Sequence, residues 1–277
     1  MFNRLPRISL ATKCVWWCLW MQPAAAIATD SSTARGRLMP GPVARSFLTP
    51  SGWGNNRPMV YAYLAGTFPQ VYSQKSDLLS GVGAAWGDSC HALSVRCALN
   101  INDVSQLDQY SGNVAISMKL HTGSSITAGV LHLWANKINT DANPSYYVAY
   151  SNAFQRWRPR QDGTARAAFT VGAGSGRFYT MSSRDEQFGR WKHGTIAFAS
   201  LTASISKTLV ATVEWTGHNL CFSANWKPYI PMRLPFRLPS ISFGIADPLR
   251  TSGDHVRFVA SLAYGYVLPW PKQHCIP

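Results

Sequence analysis

The chain has 277 residues, and its 26 lysines and arginines exceed its 12 aspartates and glutamates, so the formal net charge is +14. No stretch after Thr29 approaches the roughly 20 apolar residues that a membrane-crossing helix needs, which excludes an anchor of that kind. The charge favours an acidic neighbour, such as an anionic polysaccharide, lipopolysaccharide, a membrane surface or nucleic acid. Alternatively, it keeps an aromatic-rich domain in solution.

Residues 1–28 have the three-part layout of a secretory signal peptide. Basic residues precede the apolar run from residue 14 to residue 21, and the small side chains of Ala26 and Ala28 suit a signal peptidase. Cleavage after Ala28 would leave 249 residues, 28 fewer than the whole chain, and would lower the net charge by three to +11. We therefore expect an exported protein that is secreted or held at the cell surface, with the periplasm as a further possibility.

After cleavage the chain would keep four cysteines, Cys90, Cys97, Cys221 and Cys275. An even number in an exported protein indicates disulfides, and four cysteines allow three pairings. We favour Cys90 with Cys97, which are close in sequence, and Cys221 with Cys275, which would tether the tail. A metal site at Cys90, His91 and Cys97 is disfavoured, because the spacing matches no structural zinc pattern.

Residues 29–58 are rich in Ser, Thr, Gly, Pro and Arg and lack an apolar period. This composition predicts an extended leader, whose stretch Gly52-Trp53-Gly54-Asn55-Asn56 ends in a turn. The leader could also dock elsewhere as a strand.

From Met59 onward, apolar and polar residues alternate with a period of two, which is typical of half-buried strands. In residues 116–121, Ile116, Met118 and Leu120 share one face and polar residues share the other. A turn joins this stretch to residues 126–134, which predicts a hairpin. A second hairpin is predicted for residues 209–215 and 221–222, which a turn at residues 216–219 joins. Further predicted strands cover residues 60–64, 146–150, 167–171, 196–201, 240–245 and 256–266.

Helix signals are limited to residues 76–85 and 103–110. Ten or more short strands with few helical turns predict an all-β fold, an antiparallel β-sandwich or jelly roll, and disfavour a parallel α/β sheet. We expect a single β-sandwich domain over residues 59–277. A division near residues 155–165 is the alternative.

Catalytic signals are sparse. The stretch Gly172-Ala173-Gly174-Ser175-Gly176 has its serine out of register for a nucleophile elbow. Glu214 stands beside Trp215 on a predicted strand and could act on a sugar with Asp247 as its partner carboxylate, Asp185 and Glu186 being further candidates. A strand residue that faces outward and pairs with an arginine is the simpler reading of Glu214. No histidine pattern suggests a metal, and we predict neither a metal nor a cofactor.

Arginines and aromatic residues are interleaved over residues 154–192. Guanidinium groups beside aromatic faces can hold sulfate, phosphate or carboxylate while stacking on a ring. The alternative is a set of strands with arginines on the wet face and aromatics in the core. Trp134, on the polar face of its strand, is expected to be exposed. The predicted ligand-binding residues are Trp134, Arg156, Trp157, Arg158, Arg160, Arg190 and Trp191.

Export, β structure, cysteines and few catalytic groups together predict a non-enzymatic binding protein. We expect a surface adhesin or a lectin-like subunit, which could be pilus-associated and which recognises an anionic glycan or another cell-surface polymer. Neighbouring subunits could join it by strand addition. The alternatives are a secreted jelly-roll enzyme acting on polysaccharide through Glu214 and Asp247, and a membrane-acting toxin component. Neither a nucleic-acid partner nor a transmembrane segment is expected.

Overall fold

Period-two alternation and frequent turns fold the chain into twelve antiparallel strands in a computed structural model. The structure describes residues 46–88, 93–104, 107–121, 123–135, 143–154, 165–190, 192–228 and 239–268, so the predicted signal peptide lies outside it. The strands are β1 (Met59–Phe68), β2 (Asp77–Gly87), β3 (Leu93–Asp103), β4 (Asp108–His121), β5 (Ser124–Leu133), β6 (Ser145–Ala153), β7 (Ala167–Gly174), β8 (Ala197–Ser204), β9 (Leu209–Trp215), β10 (Leu220–Trp226), β11 (Ser240–Ala246) and β12 (Arg257–Val267).

The sheet closes on itself. Consecutive strands pair throughout, and β1 pairs with β12 from Met59 opposite Val267 to Phe68 opposite Phe258. The predicted β-sandwich or jelly roll is therefore wrong, because the fold is a closed barrel. Alternation predicts strands for either fold, since it defines two faces of a strand without showing how the sheet closes.

The predicted hairpins are confirmed as β4–β5 and β9–β10. The two predicted helices are wrong. Residues 76–85 lie almost entirely in β2, and residues 103–110 cover the end of β3, a turn and the start of β4. Pairing with neighbouring strands outweighs the weak local helix preference of both stretches.

The chain enters β1 and leaves β12 at the same end of the barrel, which we call the terminal end. The opposite end is the distal end. The distal connections are residues 69–76, 104–107, 134–144, 175–196, 216–219 and 247–256.

Helical structure is confined, within the described residues, to the long distal connection 175–196. It contains a 3-10 helix (Gly176–Phe178) and the short helix α1 (Ser183–Gln187), whose first turn is capped by the Ser182 hydroxyl accepting the Asp185 N–H. No helix in the described part of the chain has the length and apolar character needed to cross a membrane.

Inward aromatic rings lie flat against the barrel wall, because glycines face them on the next strand. Tyr61 lies opposite Gly83, and Tyr63 lies opposite Gly81. A Cβ atom at either glycine would overlap the ring of its partner tyrosine. The same arrangement joins Tyr147 to Gly129 and Phe198 to Gly172. These pairs fill the wall side of the lumen without crossing its centre.

Residues 46–58, which we call the lumen segment, run inside the barrel. Phe47 and Leu48 are buried and belong to one apolar cluster with wall residues of β1, β2 and β12. Trp53 is buried against Ala153, Ala165 and Ala168 near the terminal end. The described part of the predicted leader therefore packs within the sheet's closed ring.

Candidate functional site

The outer wall of the barrel is apolar. Of the strand residues whose exposure the structure describes, every exposed one is apolar, aromatic or glycine, apart from His121 at the terminal end of β4. Ile116, Met118 and Leu120 are between 39% and 46% exposed, while Ser117 between them is 4% exposed. The apolar face that indicated a core in the sequence is thus the face turned outward.

Large aromatic side chains are exposed toward both ends of this wall. Trp86 and Trp226 mark the terminal ends of β2 and β10. Exposed aromatic residues near the distal end include Phe68, Tyr110, Trp134, Tyr146 and Phe258. Aliphatic residues such as Val82 and Leu262 lie between the two zones and are also exposed.

Polar side chains face the lumen instead. Hydroxyl groups pair across neighbouring strands, with Ser117 Oγ 2.6 Å from Thr127 Oγ1 and Ser151 Oγ 2.6 Å from Thr170 Oγ1. Buried polar groups need such partners, because an unpaired hydroxyl out of water costs roughly 1 to 3 kcal/mol. The lumen is therefore a polar interior surrounded by an apolar wall.

Glu214 lies in this lumen and holds the lumen segment. Its carboxylate accepts hydrogen bonds from the backbone N–H groups of Phe47 and Leu48, the latter at 2.6 Å, and from the Thr49 hydroxyl at 3.4 Å. The side chain is 1% exposed. Burial raises the pKa of Glu214 to about 7, against the opposing effect of these hydrogen bonds. Its contacts to Phe47, Leu48 and Thr49 anchor the segment to β9.

The wall also holds the segment through hydroxyl groups. Ser151 Oγ accepts the Gly52 N–H at 2.7 Å, and Ser94 Oγ accepts the Asn55 N–H at 3.1 Å. A Cβ atom at Gly52 would lie 2.6 Å from Ser125 O and from Ser151 N, so only glycine fits this approach. The sequence pattern predicts that residues 52–56 end in a turn, and it carries no signal for the contact between Gly52 and the wall.

A second polar cluster joins three connections at the distal end. The Tyr72 hydroxyl donates to Asp185 Oδ1 at 3.0 Å, and the Tyr72 N–H donates to Asp254 Oδ1 at 2.8 Å. Arg190 donates to the Gly253 carbonyl and lies 5.8 Å over the Tyr72 ring. Burial and the hydrogen bond to Asp185 raise the pKa of Tyr72 to about 12, so its hydroxyl stays protonated at neutral pH.

An aromatic face accompanies this distal cluster. The rings of Tyr72 and Phe188 stack with centroids 4.1 Å apart, and Phe188 is 60% exposed. Trp134 is 77% exposed at the same end of the barrel. Two predicted ligand-binding residues, Trp134 and Arg190, therefore lie at one end of the molecule, where Arg190 belongs to the cluster.

Other predicted binding residues lie outside the described part of the chain. These are Arg156, Trp157, Arg158, Arg160 and Trp191.

Asp247, the predicted partner of Glu214, is fully buried and forms hydrogen bonds within the connection 247–256. It accepts hydrogen bonds from the backbone N–H groups of Thr251 and Ser252 and lies 3.8 Å from the Arg257 guanidinium. Glu214 binds the lumen segment instead, so the two carboxylates have separate sets of contacts. Of the other candidates, Asp185 belongs to the distal cluster, and Glu186 lies in α1.

Cys97 and Cys221 are free thiols, so no disulfide joins the described residues. Their predicted partners, Cys90 and Cys275, lie outside that part of the chain. Cys221 is buried, one strand from Glu214. Within the residues that the structure describes, no group of three or more His, Cys, Asp or Glu side chains could hold a metal ion.

Comparison of the sequence with known protein families and with curated proteins finds no match. The outer wall, the lumen and the distal cluster are therefore the features that bear on function.

Proposed function

We propose that this chain is an integral membrane β-barrel of the outer-membrane type. The observation that supports it best is the apolar outer wall, on which no exposed strand residue of the described chain is charged. A monomer in water rarely exposes a continuous apolar patch of more than a few hundred Å². A wall that is apolar around twelve strands fits hydrocarbon far better than water.

Closure of the sheet supports the same proposal. A bilayer core offers no hydrogen-bond partners, so only structures that pair all of their backbone groups internally can cross it. Each of the twelve strands pairs with two neighbours, which meets that requirement. The exposed aromatic residues toward both ends fit the two interfaces of a bilayer, where Trp and Tyr are enriched.

This proposal revises the expectation of a strand-adding adhesin without a transmembrane segment. That expectation rested on export, β structure, cysteines and few catalytic groups, and the lack of a long apolar run excluded only a membrane-crossing helix. Strand addition would require opening a paired neighbour, since the closed sheet has two partners for each strand. The jelly-roll enzyme is not retained, because both carboxylates are buried and each binds a different segment. Glu214 binds the lumen segment, and Asp247 binds the connection 247–256.

Membrane extraction tests the proposal. Membranes from expressing cells are washed with alkaline carbonate and urea and then treated with detergent, and the unheated and boiled protein are compared by SDS gel electrophoresis. We expect the protein to stay in the membrane until detergent is added and to migrate differently before boiling, as closed barrels do. Release by urea alone, with no difference on boiling, would contradict membrane insertion.

A binding role at the distal end is the second candidate function. The exposed Phe188 ring, stacked on Tyr72 beside Arg190, supports an anionic glycan as the ligand, because an aromatic face and a guanidinium suit a charged sugar. Detergent-solubilised protein is passed over heparin and lipopolysaccharide columns. We expect Phe188→Ala to weaken retention and Ile205→Ala, an exposed residue at the terminal end, to leave it unchanged. Equal retention of both variants would argue against this site.

A further inference from the structure

The lumen segment takes no part in the strand pairing of the barrel wall. Twelve strand pairs close the ring, and residues 46–58 belong to none of them. The segment could therefore leave the lumen without breaking any strand pairing.

Two kinds of contact hold the segment: hydrogen bonds that water could replace, and the apolar packing of Phe47, Leu48 and Trp53, which is lost when the segment leaves. Glu214 binds the N–H groups of Phe47 and Leu48, while Ser151 binds that of Gly52. The Oγ atoms of Ser46 and Ser200 lie 2.7 Å apart. A carboxylate and hydroxyl groups that become hydrated recover most of the hydrogen bonding that they lose.

The wall around the segment would hold water once the segment had left. Its inward hydroxyl groups extend over adjacent strands from β4 to β9. These residues are Ser117, Ser125, Thr127, Ser151, Thr170, Ser200, Thr202 and Thr212. Phe178, from the distal connection, lies on the wall itself, stacked on Phe198 with centroids 4.6 Å apart.

The lumen is wide enough to hold either the segment or hydrated solutes. Twelve strands spaced about 4.8 Å apart and tilted by about 40° give a diameter of about 24 Å between facing backbones. Wall side chains alone fill a barrel of about eight strands. The additional width accommodates the lumen segment, and it would accommodate small hydrated solutes in its place.

We infer that the barrel is a gated pore for small hydrophilic solutes, that the lumen segment is its gate and that Glu214 is the latch. This inference rests on the proposed membrane insertion. When the segment is bound, the lumen is closed. When the segment leaves, ions and small hydrophilic solutes pass through the hydroxyl-lined lumen.

Conductance across planar lipid bilayers tests the gate with the full mature chain in potassium chloride. Glu214→Ala removes the side chain that accepts two backbone N–H groups, so we expect the open fraction to rise at least about tenfold. The matched control is Ser242→Ala, which changes another inward side chain, one that is bonded to Asn225 on the next strand. We expect wild-type conductance from the control.

A reversible cross-link provides the second measurement. Cysteines at positions 46 and 200, in a background whose native cysteines are serine, would lie within disulfide reach because the serine Oγ atoms are 2.7 Å apart. We expect oxidation to abolish openings and reduction to restore them. Swelling of liposomes in arabinose should follow the same pattern.

The outcomes separate the pore from the membrane proposal. If Glu214→Ala inserts and changes mobility on boiling but passes no more current or sugar than the wild type, the pore inference is overturned while membrane insertion stands. Openings that persist in the oxidised cross-linked protein would also overturn it. Failure of the wild-type chain to insert would overturn membrane insertion itself.

Discussion

Single residues decide how the lumen is filled. Gly83 and Gly81 let Tyr61 and Tyr63 lie flat on the wall, which leaves the centre of the barrel free for the lumen segment. Gly52 lets that segment approach the backbone of β5 and β6. Each glycine is needed because an atom of another chain segment occupies the space of its missing side chain.

Gly52→Ala should displace the lumen segment. The added Cβ would lie 2.6 Å from Ser125 O and Ser151 N, which belong to paired strands and cannot move aside. We expect faster proteolysis of the segment, with the barrel itself intact. Limited proteolysis followed by mass spectrometry measures this. Ser51→Ala, which removes an atom at the neighbouring buried position, is the control, and equal cleavage of the two variants would contradict the prediction.

At the scale of elements, three distal connections act as one unit. Tyr72 in the connection 69–76 binds Asp185 of α1 and Asp254 in the connection 247–256. Arg184 of α1 donates to the Val71 carbonyl. These contacts join residues more than 100 positions apart, so the distal end is ordered by tertiary bonds and not by local structure.

Acid should loosen this unit. Burial raises the pKa of Asp254, but the Tyr72 N–H and His255 outweigh burial and hold that pKa below its ordinary value. A carboxylate with a lowered pKa stabilises the fold above its unfolded pKa of about 3.9, and this contribution is lost as the pH falls through the folded pKa. We therefore expect the Tyr72 amide to lose protection against exchange, measured relative to its intrinsic rate at the same pH, below about pH 4.

The control for the acid effect is Asp254→Asn, whose side chain does not titrate, so the protection of the same amide should not fall in acid. Hydrogen exchange measured by NMR spectroscopy follows both proteins. An acid transition of the same size in Asp254→Asn would assign the effect to another group.

At the scale of the whole molecule, the environment of the outer wall determines what a charge on it costs. Val82, at the middle of β2, and Leu249, in a distal connection, are 57% and 64% exposed. In water, lysine at either position would change the free energy of unfolding by less than about 0.5 kcal/mol. At the midplane of a bilayer, lysine on a barrel wall costs about 2 to 4 kcal/mol.

We expect Val82→Lys to destabilise the protein by about 2 to 4 kcal/mol in lipid vesicles and Leu249→Lys to have little effect. Urea unfolding of the vesicle-inserted protein, followed by tryptophan fluorescence, measures both. Equally small effects for the two variants would argue that the wall faces water.

The sequence by itself determined the strands and most turns, because the period of two is a local property of side chains along an extended backbone. Residues 116–134, 209–222 and 256–266 were predicted as strands or hairpins from that period alone. Which face turns inward was decided only by closure of the sheet, since the same alternation suits an apolar core or an apolar exterior. The pairing of β1 with β12, the contact of Glu214 with the lumen segment and the distal cluster also required the tertiary structure, because each joins residues far apart in the chain.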